Sequence, residues 1–226
     1  MFNEILFTWS KVKNPVNSIR GVTRAGLLSL LLLPSLLLVT GCDKTDDTDP
    51  TSPVIGAQDH IYQGWDAFEE QRWNDALGSF QAAMSNNGNL ADAWNGAGWA
   101  EGQLPGKLTS AGSRFATCLQ KDTTRYDALA GWAFVEYQQN RWQSAINKTD
   151  SLLYRRPRWK FLHQQDLDFY DLHLMKAKSH YLLGQYSSSL KVITDLMNPE
   201  FSADVSTSYG RQLLSDEIER LERIYG

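Results

Sequence analysis

Two regimes of apolar patterning divide the chain. Between Ala25 and Thr40 the residues are almost wholly apolar, reading AGLLSLLLLPSLLLVT. From about residue 59 onward, apolar side chains instead recur three and four apart, the spacing that gathers one face of an α-helix. That period predicts helices at about 58–71, 74–86, 90–103, 108–120, 124–139, 142–154, 166–183, 187–197 and 205–225. The last carries Leu213, Leu214, Ile218, Leu221 and Ile224 on one face, with acids and arginines on the other. Strand-like alternation is not sustained anywhere, so residues 59–226 are expected to form one all-α domain.

A longer period lies over the helical one. Gly-Trp occurs at Gly64-Trp65, Gly98-Trp99 and Gly131-Trp132, spacings of 34 and then 33. Ala76, Phe80 and Ala83 follow Gly64 at +12, +16 and +19. Ala111, Phe115 and Cys118 follow Gly98 one residue later, and Ala145, Thr149 and Leu152 follow Gly131 two residues later. A fourth unit opens at Ala177, with Ser189, Ile193 and Leu196 back at +12, +16 and +19. A small residue on the first helix lets the second cross closely, and the aromatic four residues on fills the gap beside it.

The 34-residue period, Trp94-x2-Ala97-Gly98 and the repeated Ala-x3-Phe resemble tetratricopeptide repeats over roughly residues 59–197. The closing Pro usual in those repeats is missing from every unit. The resemblance implies an α-solenoid of about four helix-turn-helix repeats, closed by a C-terminal capping helix over the open end. It also implies that the residue after each small position faces a binding groove. Trp65, Trp99 and Trp132 would then form an aromatic ladder, joined by Phe68 and Tyr181, with Lys178 in the matching place of the fourth unit. Such a ladder suits an extended peptide, a Pro-rich segment or a sugar chain. Alternatively, the same tryptophans pack between neighbouring helices and never meet solvent.

The stretch Tyr154-Arg155-Arg156-Pro157-Arg158-Trp159-Lys160-Phe161 falls where Gly131 and Ala177 are 46 residues apart, about a dozen over the repeat length. It reads as an insertion between units three and four, with Pro157 blocking helix continuity. Arg155, Arg156, Arg158 and Lys160 form a candidate basic patch for lipid headgroups or an acidic partner, or a merely solvated loop.

The N-terminal run has a different meaning. Its 16 residues fall short of the roughly 20 that span a bilayer, Pro34 interrupts it, and Lys11, Lys13, Arg20 and Arg24 precede it. Val39-Thr40-Gly41-Cys42 resembles the lipobox of bacterial lipoproteins. The resemblance implies cleavage between Gly41 and Cys42 and acylation of Cys42, so residues 1–41 are read as an export signal. Residues 42–58, with Asp43, Asp46, Asp47, Asp49, Pro50 and Pro53, read as an acidic tether that cannot collapse. Asp43 directly after the Cys resembles an inner-membrane retention signal, and the acidic cluster resembles a surface-export signal. The expected location is a bacterial membrane, facing periplasm or cell surface.

Charge and chemistry narrow the rest. The chain carries −4, and removing a leader with four cations and one acid leaves −7, about half of it in the tether, with no nucleic-acid footprint. With Cys42 acylated, Cys118 has no intramolecular partner and fits a small buried position. His173 and His180 lack a third ligand at metal spacing, and Asp166, Asp168 and Asp171 lack the turn glycine of a calcium loop. The sequence therefore predicts no enzyme, no metal and no cofactor. The expected function is a membrane-anchored scaffold presenting a groove to a peptide segment of another cell-envelope protein. The alternative is a surface glycan-binding lipoprotein using the tryptophan ladder.

Overall fold

The computed structural model describes residues 56–225, so the predicted export signal, Cys42 and nearly all of the tether lie outside the described residues. Within that range the chain forms nine helices: α1 (Ala57–Glu69), α2 (Trp73–Asn86), α3 (Ala91–Gly102), α4 (Leu108–Lys121), α5 (Tyr126–Gln138), α6 (Trp142–Arg155), α7 (Phe169–Leu182), α8 (Tyr186–Leu196) and α9 (Ser208–Tyr225). Every boundary lies within three residues of the period-based expectation, with α1 starting two residues inside the predicted tether. Among the described residues no helix is long and apolar enough to cross a membrane.

Helices pair as α1–α2, α3–α4, α5–α6 and α7–α8, and each pair packs on the next. One left-handed residue turns the chain inside each pair: Gln71, Gly106, Asn140 and Gly184, with φ of 62, 73, 59 and 72°. At α1 the Gln71 amide donates to Phe68 C=O and the Arg72 amide to Ala67 C=O, closing the helix with a Schellman pattern. Asn140–Arg141 and Gly184–Gln185 repeat it after α5 and α7.

The glycines define the seams. A Cβ on Gly64 would lie 2.6 Å from the Phe80 ring, and one on Gly96 only 2.2 Å away. Phe115 stands likewise between Gly98, at 2.7 Å, and Gly131, at 2.3 Å. Each Phe therefore wedges between the first helix of its own unit and that of the next, a fit that only bare backbone allows. In the fourth unit the seam is polar at one point, where buried Ser189 Oγ donates to Ala177 C=O at 2.7 Å.

This packing corrects the register of the third unit. Gly131 does for Phe115 what Gly96 does for Phe80, so the small residue equivalent to Gly64 and Gly98 is Ala133, not Gly131. From Ala133 the second-helix residues Ala145, Thr149 and Leu152 fall back at +12, +16 and +19. Trp132 consequently sits two positions before the place the Gly-Trp dipeptide suggests, about 200° round the helix.

The first helices α1, α3, α5 and α7 touch their neighbours in series, whereas α2, α4, α6 and α8 touch only first helices and α9. The first helices therefore line the inner face. The buried core forms two clusters: one joins the first three units to Trp159, Phe161 and Leu167, and the other joins Leu174, Ala177, Val192 and Ile193 to Leu214, Ile218 and Leu221 of α9. Cys118 is fully buried in the first, and burial pushes its thiol up to about 12, well outside the range of a reactive cysteine.

Candidate functional site

After α6 the chain turns at Pro157–Arg158, is extended over 159–161 with side chains alternating inward and outward, and turns again over 162–166. Trp159 and Phe161 are buried; Lys160 and Leu162 between and after them are exposed. The Phe161 amide donates to Leu167 C=O at 2.9 Å, and Lys160 pairs with Asp168 as an isolated antiparallel bridge, closing residues 159–168 into a small strap. Asp168 then caps α7, accepting the Tyr170 amide at 2.8 Å, while the Asp171 carboxylate accepts the Asp168 amide.

The strap lies on the inner face of units one to three. The Phe161 ring stacks on Trp99 at 4.1 Å and 19° and meets Trp65 and Phe68 edge-on, both at 6.0 Å. The His163 ring stacks parallel on Trp65 at 3.8 Å, with Nδ1 2.8 Å from the Glu69 carboxylate. The Trp159 indole N–H donates to Asp127 at 2.7 Å. Burial pushes the Asp127 carboxyl above its ordinary range, opposed by that indole hydrogen bond and by nearby His163.

The expectation of an open ladder is corrected on both counts that matter, exposure and membership. Trp65, Phe68 and Trp99 do share the inner face, but they are 5%, 1% and 0% exposed beneath the strap. Phe134, one residue after Ala133, takes the third place, 6.4 Å from Trp99. Trp132 points elsewhere. Its indole N–H donates to Glu136 at 2.8 Å, and the Lys148 ammonium lies 4.0 Å over its ring. Burial pushes the Glu136 carboxyl up, but Arg141, Ser144 and Lys148 outweigh it and hold the group at about 2. In unit four, Lys178 pairs with Glu222 of α9 at 2.6 Å, and Tyr181 meets Tyr186 edge-on at 5.1 Å. For Trp65, Phe68 and Trp99 the physical cause is that aromatic surface is better buried, and this chain supplies its own cover.

Of the basic patch, Arg155, Arg156, Arg158 and Lys160 are all exposed, with the Arg156 guanidinium 4.8 Å over the Tyr126 ring. The histidines and aspartates considered for metal binding serve structure instead. Asp168 and Asp171 form the α7 cap, His180 Nδ1 contacts Gln185, and burial lowers His173 to about 4, leaving it neutral. Among the described residues no group of three metal-ligating side chains converges.

The residues missed from sequence are Trp159, Phe161, His163, Leu167 and Asp127. Their one signal is the alternation in Trp159-Lys160-Phe161-Leu162, set within a run of cations.

No family model and no curated protein sequence matches the chain. Among solved structures, the crystal structure of a tetratricopeptide repeat protein from Parabacteroides merdae superimposes with a TM-score of 0.50 at 14% identity. The match covers 74% of this chain and 59% of that one, so the chain spans less than two thirds of its neighbour. With the unit length, the paired helices and the glycine-lined seams, that likeness gives residues 56–225 the fold of a tetratricopeptide repeat protein: four helix-turn-helix units and a closing helix.

Proposed function

We propose that this protein is a lipid-anchored, non-catalytic adaptor of the bacterial cell envelope, whose inner face holds an extended segment of another protein. The observation that carries it is the strap itself. An inner face that already seats an irregular loop through the alternate rings Trp159 and Phe161 has the relief a foreign peptide would need. Cys42 would confine that face to one membrane, facing periplasm or cell surface, since more than one acyl chain anchors stably. The glycan alternative relied on open indole faces; Trp65 and Trp99 face the chain's own strap instead. Arg155, Arg156, Arg158 and Lys160 are exposed to anionic headgroups or an acidic partner beside the strap.

Crosslinking and pull-down from intact cells, comparing the native protein with Cys42→Ala, tests this. The native form is expected in the membrane fraction with an envelope protein attached, and the variant is expected to leave the membrane. A variant that stays in the membrane fraction would remove the anchor from the proposal.

A further inference from the structure

The strap shares the core through Trp159, Phe161 and Leu167, yet it is seated on the helices as a ligand would be. It exceeds the helical repeat: α7 starts 43 residues after α5, whereas α3 and α5 start 34 and 35 after their predecessors. Packing of α6 on α7 is direct, aided by the Lys176–Asp150 ion pair, so the units stack without the strap as an intermediary. Its main-chain bonds close on itself, with the Trp159, Phe161 and Leu167 amides donating to Arg156, Leu167 and Gln164. Its grip on the helices is by side chains: two aromatic rings two residues apart, an imidazole stacked on Trp65, and polar anchors at Asp127 and Glu69.

The fit also leaves polar groups unanswered. Asn95, 2% exposed and one turn before Trp99 on the same face of α3, has its Oδ1 without a hydrogen-bond partner among the described residues. The Trp65 indole N–H is in the same condition. The self-bonded strap satisfies neither this buried acceptor nor this buried donor, so a different occupant of the face has hydrogen bonds to gain there.

We infer that residues 159–167 are a displaceable pseudo-ligand, and that the partner of this face is an extended polypeptide carrying two aromatic side chains two residues apart. The inference rests on the adaptor proposal and adds the partner's chemistry and the competition it must win. In the closed state the incoming segment binds with its affinity reduced by the fraction of molecules whose strap is open. Removing the strap's aromatics restores the full affinity.

The test titrates a fluorescent peptide with the sequence of residues 156–168 into the full wild-type chain and into a Trp159→Ser/Phe161→Ser chain. The double variant is expected to bind it roughly tenfold tighter or more. A peptide keeping only the two aromatics, two apart, in a Gly/Ser background is expected to retain binding, and one with them adjacent to lose it. Equal affinity for both proteins would overturn the inference while leaving the adaptor proposal standing. Absence of binding to a variant that melts cooperatively would overturn the inference as well. Should the double variant fail to fold, protease sites between Arg156 and Pro157 and between Gln165 and Asp166, all exposed, are cut after folding, the released segment is dialysed away and the same peptide is added. Cut protein that refuses the peptide is again a refutation.

Discussion

Nine residues of irregular chain, 159–167, cover the inner face of units one to three, whereas the 18-residue helix α9 closes the far end of the stack on α7 and α8. The two covers are held by different physics. A helix satisfies its own backbone and presses Leu214, Ile218 and Leu221 into a cluster with Leu174, Ala177 and Ile193. Polar contacts then rim it: Lys178 with Glu222, and Glu217 with Asn198 and Arg220. The strap bonds its backbone only locally and depends on Trp159, Phe161 and Leu167 for its hold. So α9 closes the stack as a helix among helices, while the strap joins the core through its side chains alone. On the displaceable-strap proposal, that contrast puts exchange with a partner at the first three units.

The sharpest break would come from core aromatics of equal burial. Phe80→Ala removes a ring wedged between Gly64 and Gly96 and is expected to cost ~3–5 kcal/mol in urea unfolding. Leu214→Ala on α9 is expected to cost ~2–5 kcal/mol in the same measurement. Phe161→Ala, though also 0% exposed, is expected to fall below the ~3–5 kcal/mol of a core Phe, because the strap can leave while the helices stay stacked. A Phe161→Ala loss equal to that of Phe80→Ala would merge strap and repeats into one block.

Acid sharpens the comparison from the scaffold side. The Glu136 carboxyl sits at about 2 when folded against an ordinary 4.5, so its contribution is present above about 4.5 and lost as pH falls toward 2. Chemical denaturation across that window should show a decline that Glu136→Gln flattens. A smaller effect belongs to the rim of α9. Lys178→Met leaves Glu222 without its ion partner and is expected to cost roughly 1–2 kcal/mol, without altering peptide binding at the strap. Least of all, replacing Arg155, Arg156, Arg158 and Lys160 by Gln should change stability by under ~0.5 kcal/mol per site while weakening adsorption to anionic vesicles.

Much of this was legible in the sequence because it is local. Helix positions follow from a 3.6-residue period, and the units follow from Ala76–Phe80 and Ala111–Phe115 beside their glycines. The third unit was misregistered because Gly131-Trp132 repeats a dipeptide whose partner in packing is Phe115 of the unit before, a contact visible only in three dimensions. The strap was illegible for a related reason. Phe161 meets Trp65, Phe68 and Trp99, which come from two helices far back in the chain, and four alternating residues are too few to announce an extended segment. Lys178 likewise matched its groove position by spacing, but nothing near it in sequence foretold Glu222.

Hydrogen exchange of the full chain, followed amide by amide, separates the two covers most directly. The Phe161 amide, bonded to Leu167 C=O, should exchange ~100-fold or more faster than the amides around Leu214 in α9, because it needs only local opening. Equal protection at Phe161 and Leu214 would mean that the strap opens only when the whole protein unfolds, and would contradict a displaceable cover on the inner face.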